Sequence, residues 1–164
     1  MTRGTYIHEA KLLDFSHFRG IQKVADINDF YEWKRVLGAG SFGEVSEARS
    51  KKANIACAVK VMDKRKVCRD RVHKELVKRE LAVLQGLDHP HIVQVLELFA
   101  DDRNFYCAME LISQGNLMEV YEKTIQNGWS FTEQDAANIV KQILLALNYM
   151  HSRGVVHRDL KMEN

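Results

Sequence analysis

An α+β fold is predicted by three observations. β-like runs fill the first two thirds of the chain, one strongly periodic helical segment interrupts them, and the last third carries helical signals. Strands are expected near residues 33–39, 43–50, 55–62, 92–99 and 104–110, forming a five-stranded antiparallel sheet with one major helix packed on it. The organisation expected is an N-terminal extension over 1–28, a sheet-bearing part over 29–110, and a helical part over 111–164 that ends in a polar loop.

The extension has charges and histidines where a signal peptide needs an uninterrupted apolar run. A short amphipathic helix around His8 to Phe18 is possible in pattern, and a poorly ordered terminus is the expectation.

Gly38-Ala39-Gly40-Ser41-Phe42-Gly43-Glu44-Val45 fits G-x-G-x-x-G-x-V. Such glycines also mark dinucleotide-binding folds, where the third one opens a helix. Here Val45-Ser46-Glu47-Ala48-Arg49 lacks a helical stripe and a second β-like run follows, so the glycines fall in a hairpin. Without side chains they let the backbone approach phosphate oxygens and offer N–H donors; a flexible turn is the plainer alternative.

Ile55-Ala56-Cys57-Ala58-Val59-Lys60-Val61-Met62 alternates, placing Lys60 on one face with Ala56, Ala58 and Met62. That leaves room for a flat ligand beside a single cation, unless Lys60 is a snorkelling strand lysine. From Val72 to Leu87 the residues Val72, Leu76, Val83, Leu84 and Leu87 recur at helical spacing, and Glu80 interrupts them from within. A carboxylate there is costly unless a cation meets it, whereas Glu75, Lys78 and Arg79 fall off the stripe.

Met109-Glu110-Leu111-Ile112 follows the last strand. Gly115-Asn116-Leu117 begins a short helix to about Ile125, and Thr132-Glu133-Gln134-Asp135 has the character of a capping box opening a helix to about Ser152. Its residues Ala136, Ile139, Val140, Ile143, Leu144, Ala146, Leu147 and Met150 cover more than one face, so part of this apolar surface is expected to be exposed. The chain closes on Val155-Val156-His157-Arg158-Asp159-Leu160-Lys161-Met162-Glu163-Asn164, a dense polar loop that alone could be a solvated turn.

Four of these features occur in the order that resembles a protein kinase domain over about residues 31–164: the glycine loop, the strand lysine as in V-A-I-K, the helix glutamate, and the final loop as H-R-D-L-x-x-x-N. The resemblance implies a kinase-like α+β fold with a complete small lobe and the first helices of a truncated large lobe. It implies ATP and Mg2+ as cofactors and phosphoryl transfer to protein serine or threonine hydroxyls. Gly38, Gly40 and Gly43 would cover the phosphates, and Leu37, Val45 and Ala58 would contact the nucleotide, the last two sandwiching adenine. Lys60, ion-paired with Glu80, would orient the phosphates. Met109 would be the gatekeeper, the backbone of Glu110 and Ile112 would meet the adenine edge, and Asn116 would stand where many relatives place a ribose-binding Glu. Asp159 would accept the hydroxyl proton, Lys161 would offset developing charge, and Asn164 would hold the metal, with His157 and Arg158 structural. The D-F-G that should follow is not in these 164 residues, so the chain alone is expected to be inactive. Asp159-Leu160-Lys161-Met162-Glu163-Asn164 looks like the serine/threonine form, and Leu87-Asp88-His89-Pro90-His91-Ile92-Val93 is similar to the calcium/calmodulin-regulated and calcium-dependent group. Two other readings are a non-catalytic ATP-binding fragment and an interaction module that self-associates through the helix near 136–150.

A formal charge of +2 indicates neither a nucleic-acid surface nor an acidic tail, with 46% hydrophobic and 28% charged residues typical of a soluble chain. The basic cluster from Lys64-Arg65-Lys66 to Arg71 is read as a solvated loop and helix start, with docking of an acidic partner as its alternative. Cys57, Cys68 and Cys107 lack metal-ligand spacing and are expected as reduced thiols of a cytoplasmic protein, and no segment approaches membrane-spanning length.

Overall fold

A computed structural model describes residues 20–40, 43–68 and 70–163. The helix expected near His8 to Phe18 and the metal position Asn164 lie outside them. The described chain divides into two compact units, one of residues 20–88 and 93–111, the other of residues 89–92 and 112–163.

The first unit is built on β1 (Ile21–Lys23), β2 (Tyr31–Gly40), β3 (Gly43–Ser50), β4 (Ala56–Asp63), β5 (Val95–Ala100) and β6 (Asn104–Glu110), ordered β1-β5-β6-β4-β3-β2. Among the described residues the sheet therefore has six strands and is mixed, where five antiparallel strands were expected. The added strand is β1, which pairs parallel to β5 with Ile21 opposite Leu98 and Lys23 opposite Ala100. It covers an edge that β5 would otherwise present to solvent. A 3-10 turn at Ile27–Asp29, capped by the Asp26 carboxylate, then carries Ile27 into the core at 6% exposure. Residues 20–28, expected within an extension, are thus part of the sheet unit.

Alternation along the strands fills both faces. Ile27, Tyr31, Ala48, Cys57, Val59, Phe99, Tyr106 and Ala108 form one apolar layer. Met62, Leu81, Val95, Leu98, Ala100, Phe105 and Cys107 form the other. The Tyr31 hydroxyl donates to Glu97 at 2.7 Å, tying β2 to β5 across the sheet. At the β5–β6 turn the Asp101 carboxylate accepts from the Arg103 N–H, the Asn104 N–H and the Tyr106 hydroxyl at 2.7, 2.6 and 2.5 Å.

Two helices follow β4: α1 (Lys64–Val67) and α2 (Arg71–Gln85), the latter capped by Asp70, which accepts from the His73 N–H at 2.8 Å. The Lys64 ammonium donates to the Asp101 carbonyl and lies 4.8 Å over the Phe105 ring. The packed face of α2 differs from the expected stripe. Val77 and Leu81 meet the second layer, whereas Val72, Leu76 and Leu84 are exposed; Val83 and Leu87 are buried as expected. This helix carries two apolar stripes about 100° apart, and periodicity alone does not say which one the sheet selects.

In the second unit, α3 (Leu117–Gln126) and α4 (Glu133–Ser152) are joined by a loop that ends in the Thr132/Asp135 capping box. Ala146, Met150 and Val155 are buried, whereas Val140, Leu144 and Leu145 are 52%, 59% and 45% exposed, so α4 is apolar on more than one face. His89 packs 5.0 Å from the Tyr149 ring, and the Arg153 guanidinium lies over the same ring at 3.8 Å.

Burial pushes the Cys107 thiol up to about 11, with Lys60 pulling weakly the other way. An unfolded thiol ionises near 9.0. The stabilisation from keeping Cys107 neutral is therefore complete below pH 9 and is lost as pH rises through the folded value. Urea titrations from pH 8 to 11 should show wild-type stability falling by roughly 2–3 kcal/mol more than that of Cys107→Ser. Parallel pH profiles would contradict this, because the Tyr106 contribution is common to both proteins.

Candidate functional site

Cross-strand register assembles the candidate residues. Gly38 faces Val45, Val45 faces Lys60, Lys60 faces Cys107 and Cys107 faces Leu98, a single row across β2, β3, β4, β6 and β5. Two residues along β4, Ala58 faces Met109. Directly opposed residues share a face, so Val45, Ala58, Lys60 and Met109 all belong to the α2-bearing side of the sheet. Ala58 is buried and Lys60 partly buried. The influence of Lys60 on the Cys107 thiol agrees with their placement side by side. Leu37 sits at the register shift between Val36 and Gly38 and is 41% exposed.

Glu80 lies on α2 immediately before Leu81 and is partly buried. The apolar stripe that the sequence argument placed around it is split, with Leu76 and Leu84 exposed and Val83 and Leu87 buried.

The glycines have different physical reasons. Gly43 has φ +151, and a Cβ there would lie 1.7 Å from the Val61 carbonyl oxygen, so β3 and β4 can approach only with a glycine at this point. Gly38 has nothing within 4 Å of where a Cβ would be, so its missing side chain leaves open space above the sheet face. Gly40 pairs with Gly43 at the mouth of the hairpin.

At the end of β6 the Glu110 N–H donates to the Gln94 carbonyl at 3.0 Å and its carboxylate accepts from the Gln94 N–H at 2.8 Å. That N–H is committed to the sheet, so an adenine edge would have to use other backbone groups of this segment. Ile112, in the second unit, is 53% exposed. Asn116 is the N-cap of α3: its Oδ1 accepts from the Glu119 N–H at 2.9 Å and its Nδ2 donates to the Glu119 carboxylate at 3.0 Å. Gly115, at φ +82, is the turn that permits this cap, and a ribose contact would compete with it.

The polar loop begins where the Val155 N–H, buried with its side chain, donates to the Met150 carbonyl at 2.9 Å. Arg158 has φ +64, a left-handed conformation costly for a residue with a Cβ and characteristic of sites held in place by their surroundings. The Asp159 N–H donates to His157 Nδ1 at 3.3 Å, and the Lys161 ammonium lies 3.3 Å from the Asp159 carboxylate. Both side chains of that pair are well exposed, at 46% and 71%, so the contact adds little stability and leaves both groups accessible. The Met118 N–H donates to the Met162 carbonyl at 3.1 Å, tying the loop to α3, a tether for which the sequence carries no signal.

A family model for the protein kinase domain matches residues 31–164. Similar proteins include calcium-dependent protein kinase 5 of Plasmodium berghei, 39% identical over 140 residues, which are 85% of this chain and 24% of that protein. Calcium/calmodulin-dependent protein kinase type 1 of Macrobrachium nipponense is 37% identical over 143 residues, 87% of this chain and 39% of the relative. Myosin light chain kinase A of Dictyostelium discoideum is 36% identical over 141 residues, 86% of this chain and 46% of the relative. The chain thus spans less than half the length of these relatives.

Gly43→Ala should prevent β3 and β4 from closing, because its Cβ meets backbone that cannot rotate away. Amide exchange of residues 44–50 and 56–62 would accelerate and the thermal midpoint would drop, whereas Gly38→Ala should leave both nearly unchanged. Equal effects of the two substitutions would contradict the geometry.

Proposed function

The chain belongs to the protein kinase domain family, and on that footing we propose that its parent polypeptide transfers the γ-phosphoryl group of ATP to serine or threonine hydroxyls of proteins. The observation that best supports this reading is the sheet face on which Val45, Ala58 and Met109 flank the ammonium-bearing Lys60. Small and apolar side chains there accept a flat base, and one cation meets the phosphates. Glu80 holds that cation in position. Gly38, Gly40 and Gly43 bring backbone N–H groups over phosphate oxygens, with Leu37 beside them at the register shift. Asp159 accepts the proton of the acceptor hydroxyl as its oxygen attacks phosphorus, and Lys161, 3.3 Å from Asp159, offsets the negative charge that develops.

Among the described residues no three His, Cys, Asp or Glu side chains gather to hold a metal. Mg2+ keeps several waters and binds through one or two protein groups together with substrate phosphates. Asn164 is the ligand the family pattern assigns within these residues, and the ion when bound neutralises phosphate charge. Since no D-F-G occurs in the 164 residues, the chain alone binds ATP weakly and transfers its phosphate slowly.

Calorimetry of the 164-residue chain with ATP and Mg2+ tests the nucleotide half of this reading. Weak binding at millimolar nucleotide is expected, falling roughly tenfold in Lys60→Met with an unchanged circular dichroism spectrum. No detectable binding at that concentration would count against the proposal, and equal affinity for NAD would restore the dinucleotide reading.

A further inference from the structure

We propose that the corner between α1 and the first turns of α2 is a docking surface for an acidic peptide segment of a partner protein. Residues 63–80 contain eight Lys and Arg against four Asp and Glu, in a chain with 24 against 22, so the positive excess is local and the remainder is slightly acidic. Arg71, Lys74 and Lys78 follow one another at three- and four-residue spacing along one edge of α2. Lys64 of α1 and Lys74 and Lys78 of α2 all act electrostatically on Cys68, so cations from both helices converge on this corner, with Lys66 exposed beside them.

The carboxylates nearby are already engaged. Asp63 binds the Arg65 guanidinium at 2.9 Å, Asp70 caps α2, and Glu75 binds Lys78 at 2.7 Å. What remains is an excess of positive charge at close quarters: the Lys64 ammonium is held below its ordinary range by burial and, second, by the charge of Lys74. Asp101 and Asp102 act on Lys64 from the β5–β6 turn and offset this only in part, and an arriving carboxylate or phosphate group relieves the remaining repulsion.

Further around α2 from this basic edge, Val72 and Leu76 stand four residues apart, 71% and 51% exposed. Glu75 and Arg79 lie between this pair and the basic edge at helical spacing, so a helical peptide with an acidic side and an apolar side spans both. The interspersed Asp70 and Glu75 would repel a continuous run of phosphates, which favours a peptide over nucleic acid or a lipid surface. The inference concerns residues outside the proposed nucleotide face and stands whether or not that proposal holds.

Fluorescence anisotropy with the full chain and a labelled helical peptide of about 12 residues, rich in Glu and Leu, tests it. Binding should weaken steeply with salt and be absent for the same peptide with Gln for Glu. Lys66→Glu, Arg71→Glu and Lys74→Glu together should reduce affinity on the order of tenfold or more, and Lys66→Gln with Lys74→Gln should reduce it in the same direction. Lys23→Glu, Lys52→Glu and Lys141→Glu together, which change net charge equally on exposed sites elsewhere, should change it less than about twofold. The proposal is overturned if the acidic peptide does not bind, if the Gln peptide binds equally, or if the remote triple variant loses as much as the corner variant. It is also overturned if phosphatidylserine vesicles or single-stranded DNA displace the probe better than unlabelled peptide. A phosphoserine-for-Glu version of the peptide distinguishes phosphate from carboxylate as the preferred anion, provided one of them binds.

Discussion

Lys60 is a cation on the same sheet face as Met62, Leu98, Phe105 and Cys107, and a charge so placed prevents that face from closing into a continuous apolar layer. The other face carries its only β4 charge at the strand end, Asp63, which caps α1, and packs tightly around Cys57 and Val59, both nearly inaccessible. The consequence is a sheet with a filled side and a side that is filled only in part. α2 covers the part around Leu81, while Val45 and Gly38 continue the Lys60 row beyond it. Fixing that row requires β3 and β4 to stay in register up to the hairpin mouth, which Gly43 permits by letting the Val61 carbonyl approach where any side chain would stand.

Local chemistry was legible in the sequence where one residue type answers one local demand. The alternation of β4, the capping box at Thr132 and the glycine hairpin follow from period, cap and turn chemistry, and the structure forms all three. What escaped depends on partners distant in sequence. β1 is three residues long and acquires its strand character only by pairing with residues 98–100. α2 offers two apolar stripes, and the choice of Val77 and Leu81 is made by the sheet layer they meet. Asn116 could have been read as an N-cap from its place before Leu117 and Glu119, since Asn is a preferred capping residue.

The second unit is shaped by incomplete coverage. α4 buries Ala146 and Met150 and leaves Val140, Leu144 and Leu145 outward, so its packing supplies only part of what such an apolar helix can contribute. Its most defined portion is the end that leads into the polar loop: Val155 is anchored by Met150, Arg158 is held in a left-handed conformation, and Asp159 and Lys161 are left facing solvent as a pair. A rigid base under an exposed acid and cation is the arrangement that positioning chemistry requires, since reacting groups must be fixed while remaining reachable.

Labelling with an ATP acyl phosphate, which transfers its acyl group to a lysine lying beside bound phosphates, bears most directly on the claim that the Lys60 face receives nucleotide. Peptide mapping should find modification concentrated at Lys60 and suppressed by excess unmodified ATP, while exposed lysines such as Lys52 and Lys141 react slowly and without protection. Modification spread over the exposed lysines, with Lys60 unlabelled or unprotected, would contradict the assignment of that face.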